Sequence, residues 1–272
     1  MRTLFEIVLI GIVLVLAAML YGYAKKPATP GLFWRENVVL RVPTKEKVVA
    51  LTYDDGPHPV FTPEILDILD KYHVKATFFM VGKRMEEYPE IVKDVISRGH
   101  VIANHTYTHP HNIELDTQAQ VIRELEKCEE VIEKMTGRRA HLFRPPRGLV
   151  DGTVFMIAAE EGYRVILWTV SADHHDAPTP EAMVQRVMKH IRPGGIILAH
   201  DGTISPRWKD VAATPGIIES LKKKGYRFVT IPELLKLGGQ VRISANLETV
   251  NLLRHFADIR YVNLHEAKAA VR

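Results

Sequence analysis

Cysteine is almost missing from the sequence: the 272 residues include one, Cys128. A single cysteine excludes an internal disulfide, so the fold does not depend on one. Cys128 falls in helical register with Leu125 and Ile132, which places it on the inner face of a predicted helix. We therefore interpret Cys128 as a buried, inert thiol rather than a nucleophile.

The sequence also lacks a strong charge bias, internal repeats and low-complexity segments. Its formal net charge is +4, with 25% charged and 46% hydrophobic residues. This balance is typical of globular proteins and excludes the disordered and fibrous classes. The mild positive charge suits contact with an anionic wall or membrane surface, and we expect no nucleic-acid partner. The length fits one large domain with short appendages.

The long stretch without charged residues lies at the amino terminus, at residues 7–24. This span exceeds the roughly 7 to 15 apolar residues of a cleavable signal peptide. Tyr21 and Tyr23 also make a poor cleavage site, because signal peptidase sites have small residues. We therefore predict that residues 1–25 form a transmembrane signal anchor. The charges on its two flanks balance and do not set its orientation.

The rest of the chain alternates between β-rich apolar runs and helical patterns. The seven predicted strands are 48–53, 76–81, 100–104, 141–144, 164–170, 196–200 and 226–230. Predicted helix starts are Thr62-Pro63, Thr179-Pro180 and Thr214-Pro215, and predicted C-caps are Gly99, Gly137, Gly162 and Gly225. Repeated βα units imply parallel strands covered by helices. We assign residues 26–45 to a linker leading into this domain, residues 46–238 to the domain, and residues 239–272 to a C-terminal extension of unknown role.

Chemically capable residues follow the carboxyl ends of the predicted strands. They are Asp54, Asp55, His105, His109, Arg144, Asp173 and His200. In a barrel those strand ends converge on one face, where catalytic residues come from several strands. An open parallel sheet brings fewer of them together. The pattern therefore favours a barrel.

Three of these residues predict a metal site. Histidines four apart, as in N-H-T-Y-T-H-P (residues 104–110), can lie on one side of a helical turn. His105 and His109 with Asp55 make a three-ligand set that leaves a position open for water and substrate, as catalytic zinc requires. Alone, the Asp pair in T-Y-D-D-G-P fits a capping turn, and a lone histidine pair is more often structural. Together they favour a divalent metal, zinc, with cobalt or another divalent ion as the alternative.

Three further motifs carry the remaining candidates: F-R-P-P-R-G, L-W-T-V-S-A-D and I-I-L-A-H-D. Arg144 is a fixed cation that can orient a carboxylate. Asp173 can hold an imidazole in one tautomer, as the third member of a catalytic triad does. His200 is then a candidate general acid. Taken singly, each would be an ion pair or a hydrogen-bonded core histidine.

In order and wording, the motifs resemble those of the polysaccharide deacetylases of carbohydrate esterase family 4, the NodB-homology domain. The resemblance covers residues 48–237 and five motifs. It implies a distorted (β/α)7 barrel, in agreement with the seven predicted strands. It also implies Asp54 as catalytic base, Arg144 as the residue steering Asp54, and His200 as general acid with Asp173 as its partner.

Three residues are candidates for substrate contacts. The resemblance implies Leu198 in the wall of an acetyl pocket, and we take Arg147 and Trp168 as further candidates for substrate binding. Two positions depart from the family pattern: Arg147 stands where an aromatic residue is usual, and His174 stands where tryptophan is common. We interpret His174 and the following His175 as loop residues.

The resulting hypothesis is a metal-dependent hydrolase that removes N-acetyl groups from amino sugars of an extracellular polysaccharide and releases acetate. The substrate is then peptidoglycan, a chitin-like polymer or a secreted glucosamine polymer. Because such polymers are extracellular, we expect the amino terminus to lie inside the cell and the barrel outside the cell membrane. We also expect the protein to be a monomer. Two alternatives stay open: a non-catalytic carbohydrate-binding wall protein, and a deacylase of a small amide. A closed pocket would support the deacylase of a small amide.

Overall fold

The computed structural model describes residues 38–202 and 207–238, which form a curled parallel sheet covered by helices. The strands are β1 (Val38–Val39), β2 (Val48–Asp54), β3 (Thr77–Met80), β4 (Val101–Asn104), β5 (Leu142–Phe143), β6 (Arg164–Ile166), β7 (Val170–Ser171), β8 (Gly195–His200) and β9 (Arg227–Phe228). The helices are α1 (Phe61–Lys71), α2 (Gly82–Glu87), α3 (Pro89–Ser97), α4 (Gln118–Thr136), α5 (Gly152–Glu160), α6 (Pro180–His190), α7 (Trp208–Lys223) and α8 (Ile231–Leu237). Short 3-10 turns lie at Ile113–Leu115 and Pro146–Gly148.

The predicted anchor and the C-terminal extension lie outside the described residues, as does most of the linker. Within the described residues, no helix has the length and apolar character needed to cross a membrane. The anchor therefore stays a prediction from the sequence.

The sheet runs in the order β1-β6-β5-β4-β3-β2-β8-β7, with β9 beside β2. All ladders between these strands are parallel. The path has two ends, so the described sheet is a curled half-barrel rather than a ring closed by continuous ladders. Its longest ladder joins β2 to β8, with Thr52 opposite Leu198 and Asp54 opposite His200. This ladder carries both predicted proton-transfer residues.

The described residues contain nine strands where the sequence predicts seven. The predicted strand 164–170 is two strands, because β6 pairs with β1 and β5 whereas β7 pairs with β8. Just after β6, Leu167 donates its N–H to the carbonyl of Val39, whereas two residues later Thr169 donates its N–H to the carbonyl of Ile196 on β8. β1 lies in the predicted linker, since two residues are too few to show strand periodicity.

Two of the three predicted helix starts are wrong. α1 begins at Phe61, and the Thr62 side chain points inward and donates to Asp201. Thr214 and Pro215 lie inside α7, where the Thr214 hydroxyl donates to the carbonyl of Asp210. In both cases the threonine hydroxyl bonds a partner other than the first turn of a helix. Thr179 does cap α6, accepting from the N–H of Ala182.

Side chains of β2 alternate between two cores. Val49, Leu51 and Tyr53 pack outward against the helices, together with the buried Cys128, as predicted for that thiol. Val48 and Ala50 point inward and pack against α8. Because strand side chains alternate, Thr52 and Asp54 follow Val48 and Ala50 into the interior of the half-barrel. The interior is therefore apolar at one end and polar at the carboxyl ends of the strands.

Candidate active site

Asp54 and Asp55 are adjacent in sequence but face different partners. Asp54 ends β2, and its Oδ1 accepts a hydrogen bond of 2.5 Å from Nη1 of Arg144. Asp55 has a left-handed backbone, with φ 73°, which turns its carboxylate toward the histidines. Residues other than glycine rarely adopt this conformation, and such residues cluster at functional sites. His109 shares it, with φ 58°.

Asp55, His105 and His109 form a compact ligand group. Oδ1 of Asp55 lies 3.4 Å from Nε2 of His105 and 3.2 Å from Nε2 of His109. Ligand atoms around a tetrahedral zinc ion, at roughly 2.0–2.2 Å from the metal, are separated by about 3.3 Å. Burial opposes ionisation of Asp55, but the two imidazoles prevail and hold the pKa of its carboxyl well below its ordinary value. The carboxylate is thus ready to bind a cation.

The tautomer of His105 also fits a metal ligand. Its Nδ1 lies 2.6 Å from the carbonyl oxygen of Arg144. A carbonyl oxygen only accepts, so Nδ1 donates a proton to it and Nε2 is the ring atom directed at Asp55. In the neutral form that a metal ligand requires, Nε2 would offer its lone pair to a cation shared with Asp55. Such a hydrogen bond behind a ligating histidine is the usual way to orient its ring.

The loop that carries the histidines is held by Glu124 of α4. Oε2 of Glu124 accepts from the N–H groups of Tyr107 and Thr108 at 2.9 and 2.8 Å, and Oε1 accepts from the Thr108 hydroxyl at 2.7 Å. The Thr106 hydroxyl accepts from the N–H of His109 at 3.1 Å. Sequence reasoning missed Glu124, because one glutamate on an amphipathic helix looks like a solvent-exposed residue.

Arg144 is fully buried beneath the site. Its Nη1 donates to Asp54 and to the Thr52 hydroxyl, Nε donates to the carbonyl of Ile166, and Nη2 to the carbonyl of Leu167. The guanidinium also stacks on Phe79, with 4.0 Å between Cζ and the ring centre. These contacts compensate a buried cation and leave Asp54 as its counter-ion, so the carboxylate is fixed in direction.

His200 lies beside Asp173, with 2.9 Å between Nδ1 and Oδ2. The contact is an ion pair rather than a well-aligned hydrogen bond. Burial alone lowers the pKa of His200, but the Asp173 carboxylate prevails and raises it above its ordinary value. Burial likewise opposes ionisation of Asp173, but His200 prevails and lowers the pKa of that carboxyl. The pair therefore favours a protonated imidazole beside a carboxylate.

Two charged residues at the start of α7 complete the surroundings of His200, and neither was predicted from the sequence. Arg207 donates from Nη1 to Oδ2 of Asp173 at 2.5 Å. Asp210 accepts from the N–H of His200 at 3.1 Å. Burial, together with the Asp173 carboxylate, raises the pKa of Asp210 to about 6. Both lie at the start of a helix and not at the end of a strand, so a search for polar residues at strand ends does not find them.

The predicted substrate contacts occupy different places. Leu198 lies opposite Thr52 in register, so its side chain points to the same interior face as Thr52. Trp168 is half-buried against Gly148, where an added Cβ would lie 2.4 Å from its ring. Arg147 is exposed, with Nη1 3.0 Å from Nε2 of His111, and directly precedes the Gly148 against which Trp168 packs. Leu198 therefore faces the interior, whereas Arg147 lies at the surface.

His174 and His175 are loop residues, as expected. Their ring centres lie 3.9 Å apart, and His174 also pairs with Asp176 at 2.9 Å.

Comparisons with known proteins find relatives and structures similar to this chain. Residues 41–166 match the family model for polysaccharide deacetylase. A peptidoglycan-N-acetylglucosamine deacetylase of Bacillus cereus is 41% identical over 201 residues, covering 73% of this chain and 93% of the relative. A chitooligosaccharide deacetylase of Sinorhizobium fredii is 34% identical over 208 residues, covering 72% of this chain and 96% of the relative. The crystal structure of a peptidoglycan N-acetylglucosamine deacetylase superposes with a TM-score of 0.71 at 34% identity, covering 75% of this chain and 95% of that one.

Proposed function

The chain belongs to the polysaccharide deacetylase family, hydrolases of N-acetyl amides on sugars, and we propose that its own substrate is peptidoglycan N-acetylglucosamine. The observation that carries the hydrolytic part is the site itself. A carboxylate fixed by a buried arginine and an imidazole paired with a carboxylate lie opposite each other on β2 and β8. Oδ2 of Asp54 lies 3.8 Å from Nε2 of His105, and His200 interacts electrostatically with Asp55, so both are next to the ligand group of Asp55, His105 and His109. This arrangement supports hydrolysis over carbohydrate binding alone.

We assign zinc to that ligand group. One carboxylate oxygen and two imidazole nitrogens are ligands that zinc prefers, and three protein ligands leave a position open. When bound, the metal supplies Lewis acidity, which polarises an amide carbonyl and makes water easier to deprotonate. Cobalt or another divalent ion with the same preference for nitrogen and oxygen ligands would serve in its place.

The proton transfers belong to Asp54 and His200. Asp54 accepts a proton from the attacking water, whose oxygen forms the new bond to the acetyl carbon, and Arg144 keeps this carboxylate oriented throughout. His200 donates its proton to the sugar nitrogen as the carbon–nitrogen bond breaks. Acetic acid ionises to acetate by passing its proton to the free amine or to solvent, both products leave, and the proton on Asp54 returns through solvent to His200. Asp173 stabilises the imidazolium form in which His200 starts the reaction.

The peptidoglycan assignment has two supports. The Bacillus cereus relative, 41% identical, is a peptidoglycan-N-acetylglucosamine deacetylase. The chain carries a net charge of +4, which suits contact with an anionic cell wall. Leu198 on the interior face is our candidate wall of the acetyl pocket, and exposed Arg147 and half-buried Trp168 are our candidates for sugar contacts.

The test is acetate release from a panel of substrates: purified peptidoglycan, chitin oligomers, a poly-N-acetylglucosamine and small N-acetyl amides. We expect peptidoglycan to be preferred, and Asp54→Asn to abolish release without loss of metal. A preference for chitin oligomers would reassign the substrate, and a preference for small amides would support the deacylase alternative. Release unchanged in Asp54→Asn would show that hydrolysis occurs elsewhere.

We further propose that residues 1–25 anchor the protein in the cell membrane, with the catalytic domain outside as a monomer. The length of the charge-free stretch supports the anchor. The extracellular position of the proposed substrate supports the orientation.

A further inference from the structure

Arg207 lies between the metal-ligand group and the general-acid pair. It directly precedes α7 and is buried, with 8% of its surface exposed. Its Nη1 lies 2.5 Å from Oδ2 of Asp173, and its Nη2 lies 3.4 Å from Oδ2 of Asp55. The planar, rigid fork of a guanidinium suits contact with two carboxylates at once.

The two oxygens of Asp55 are divided between different partners. Oδ1 faces both histidines, and Oδ2 faces Arg207. Gly202 lies close to the side chain of Asp55, since a Cβ added at Gly202 would lie only 2.2 Å from Cβ of Asp55. Asp55 therefore has one oxygen directed to the ligand group and the other held by a cation.

Asp173 also has two partners, but both contact the same oxygen. Its Oδ2 contacts Nη1 of Arg207 and also lies 2.9 Å from Nδ1 of His200. Asp210, three residues after Arg207, holds the backbone N–H of His200 and lies 3.8 Å from the same guanidinium. The start of α7 thus fixes His200 through both its side-chain partner and its backbone.

We propose that Arg207 is a positioning residue whose single guanidinium holds Asp55 in its metal-binding orientation and Asp173 against His200. This inference rests on the proposed hydrolysis for its second half, whereas its first half concerns metal binding alone. A neutral side chain at position 207 would leave Asp55 free to rotate and would remove one of the two cations that compensate Asp173. A lysine would keep the charge, but its point-like ammonium does not span two carboxylates.

The test compares Arg207→Gln, Arg207→Lys, Asp173→Asn and the double variant Asp173→Asn/Arg207→Gln in the full chain, solubilised in detergent. Arg98→Gln is the matched control, since Arg98 also contacts three carboxylates, Asp67, Asp70 and Asp94, away from the site. The dissociation constant for Zn²⁺ is measured on metal-free protein by calorimetry. Turnover of an N-acetylglucosamine oligomer is then measured at saturating Zn²⁺.

We expect Arg207→Gln to weaken Zn²⁺ binding by about tenfold, the size of effect seen for residues behind metal ligands. Asp173→Asn and Arg98→Gln should leave Zn²⁺ binding near that of the wild type. At saturating Zn²⁺, Arg207→Gln should still lower kcat, and the double variant should fall within about twofold of Asp173→Asn, because residues acting through one contact are not additive. Arg207→Lys should recover one of the two defects at most.

Each half of the proposal can fail separately. Equal Zn²⁺ affinities for Arg207→Gln and Arg98→Gln would overturn the role toward Asp55. Fully additive losses of kcat in the double variant would overturn the role through Asp173, and full recovery of both defects by lysine would show that charge alone matters. If the wild type hydrolyses none of the substrates, the Zn²⁺ measurement still decides the first half, so failure of the proposed function is distinguishable from failure of this inference.

Discussion

Asp54 and His200 occupy directly opposed positions on the adjacent parallel strands β2 and β8. Side chains opposite each other in a parallel ladder point to the same face, so the carboxylate and the imidazole share one interior surface. Their polar partners come from elsewhere: Arg144 from the end of β5 and Asp173 from the segment after β7. One ladder therefore brings the proposed base and the proposed acid to one surface.

Replacing His200 should separate the two proton transfers. We expect His200→Ala to slow hydrolysis of the N-acetyl amide by about 10²–10⁴-fold, because its amine leaving group needs a proton. An activated acetyl ester should lose far less, since its leaving group departs unprotonated. Asp54→Asn should impair both substrates, because attack by water is common to them. Steady-state rates on the amide and the ester test these two roles, and the metal content of each variant is measured as a control. Equal losses on amide and ester in His200→Ala would assign that residue a positioning role instead.

The pH profile should respond to Asp173. Because Asp173 raises the pKa of His200, the imidazole stays protonated to higher pH than a free histidine, and activity falls as pH rises through that raised pKa. Asp173→Asn removes the opposing charge, so the pKa of His200 should fall and the alkaline limb of kcat should move to lower pH. Glu130→Gln, a charge change at an exposed position of α4, is the control. An alkaline limb that stays in place in Asp173→Asn would contradict the assignment of that limb to His200.

Metal content should depend on His105 and not on histidines in general. We expect His105→Ala to lose most bound zinc, because two ligands of the proposed set remain. The exposed His190 at the end of α6 supplies the control variant His190→Ala. Elemental analysis after dialysis against trace zinc gives the readout. Wild-type zinc content in His105→Ala would place the metal elsewhere.

The loop of the two histidines should loosen without Glu124. Glu124→Ala removes the acceptor of three hydrogen bonds and should cost about 1–3 kcal/mol of unfolding free energy. Because the loop carries His109, zinc affinity should fall as well. Glu130→Ala on the same helix is the control for helix propensity. Denaturant unfolding and zinc titration are the measurements, and loss of stability with unchanged zinc affinity would show that the loop is held by the metal ligands themselves.

Protease added to cells stripped of their wall should digest the catalytic domain. This follows from an anchor at residues 1–25 with its amino terminus inside. Digestion is followed with an antibody to the domain, and a cytoplasmic protein serves as the control for lysis. Protection of the domain until the cells are lysed would reverse the proposed orientation.

The catalytic candidates were predictable because they follow strands. Asp54, Asp55, His105, Arg144 and His200 each stand at or just after a strand, and parallel strands end at one edge. A position along the chain therefore implies a position in space, and the structure places these residues together. In place of the expected closed barrel, the described residues form a curled half-barrel. Closure depends on which strands pair, and hydrophobic periodicity does not identify the pairing partners.

Residues that act from helices were not predictable in this way. Arg207, Asp210 and Glu124 reach the site because α7 and α4 pack with one particular rotation against the sheet. In the sequence each is an ordinary charged residue near a helix start or on a helix. Arg147 shows the reverse case: its motif position suggested a substrate contact, while its side chain lies at the exposed edge beside His111. That role stays a prediction, as do the anchor and the monomeric state.

Because side chains alternate along β2, the face on which a catalytic residue lies depends on whether its position in the strand is odd or even. Even-numbered residues, from Val48 to Asp54, point into the half-barrel, and odd-numbered residues face the helices. Deleting one residue inside the strand would exchange the two sets downstream of the deletion. Asp54 would then take the position of Tyr53 and face the apolar helix layer away from Arg144, while Asp55 would take the position of Asp54 and leave the ligand group. A change that removes no catalytic residue would thus abolish activity, whereas removal of two consecutive residues would restore the parity.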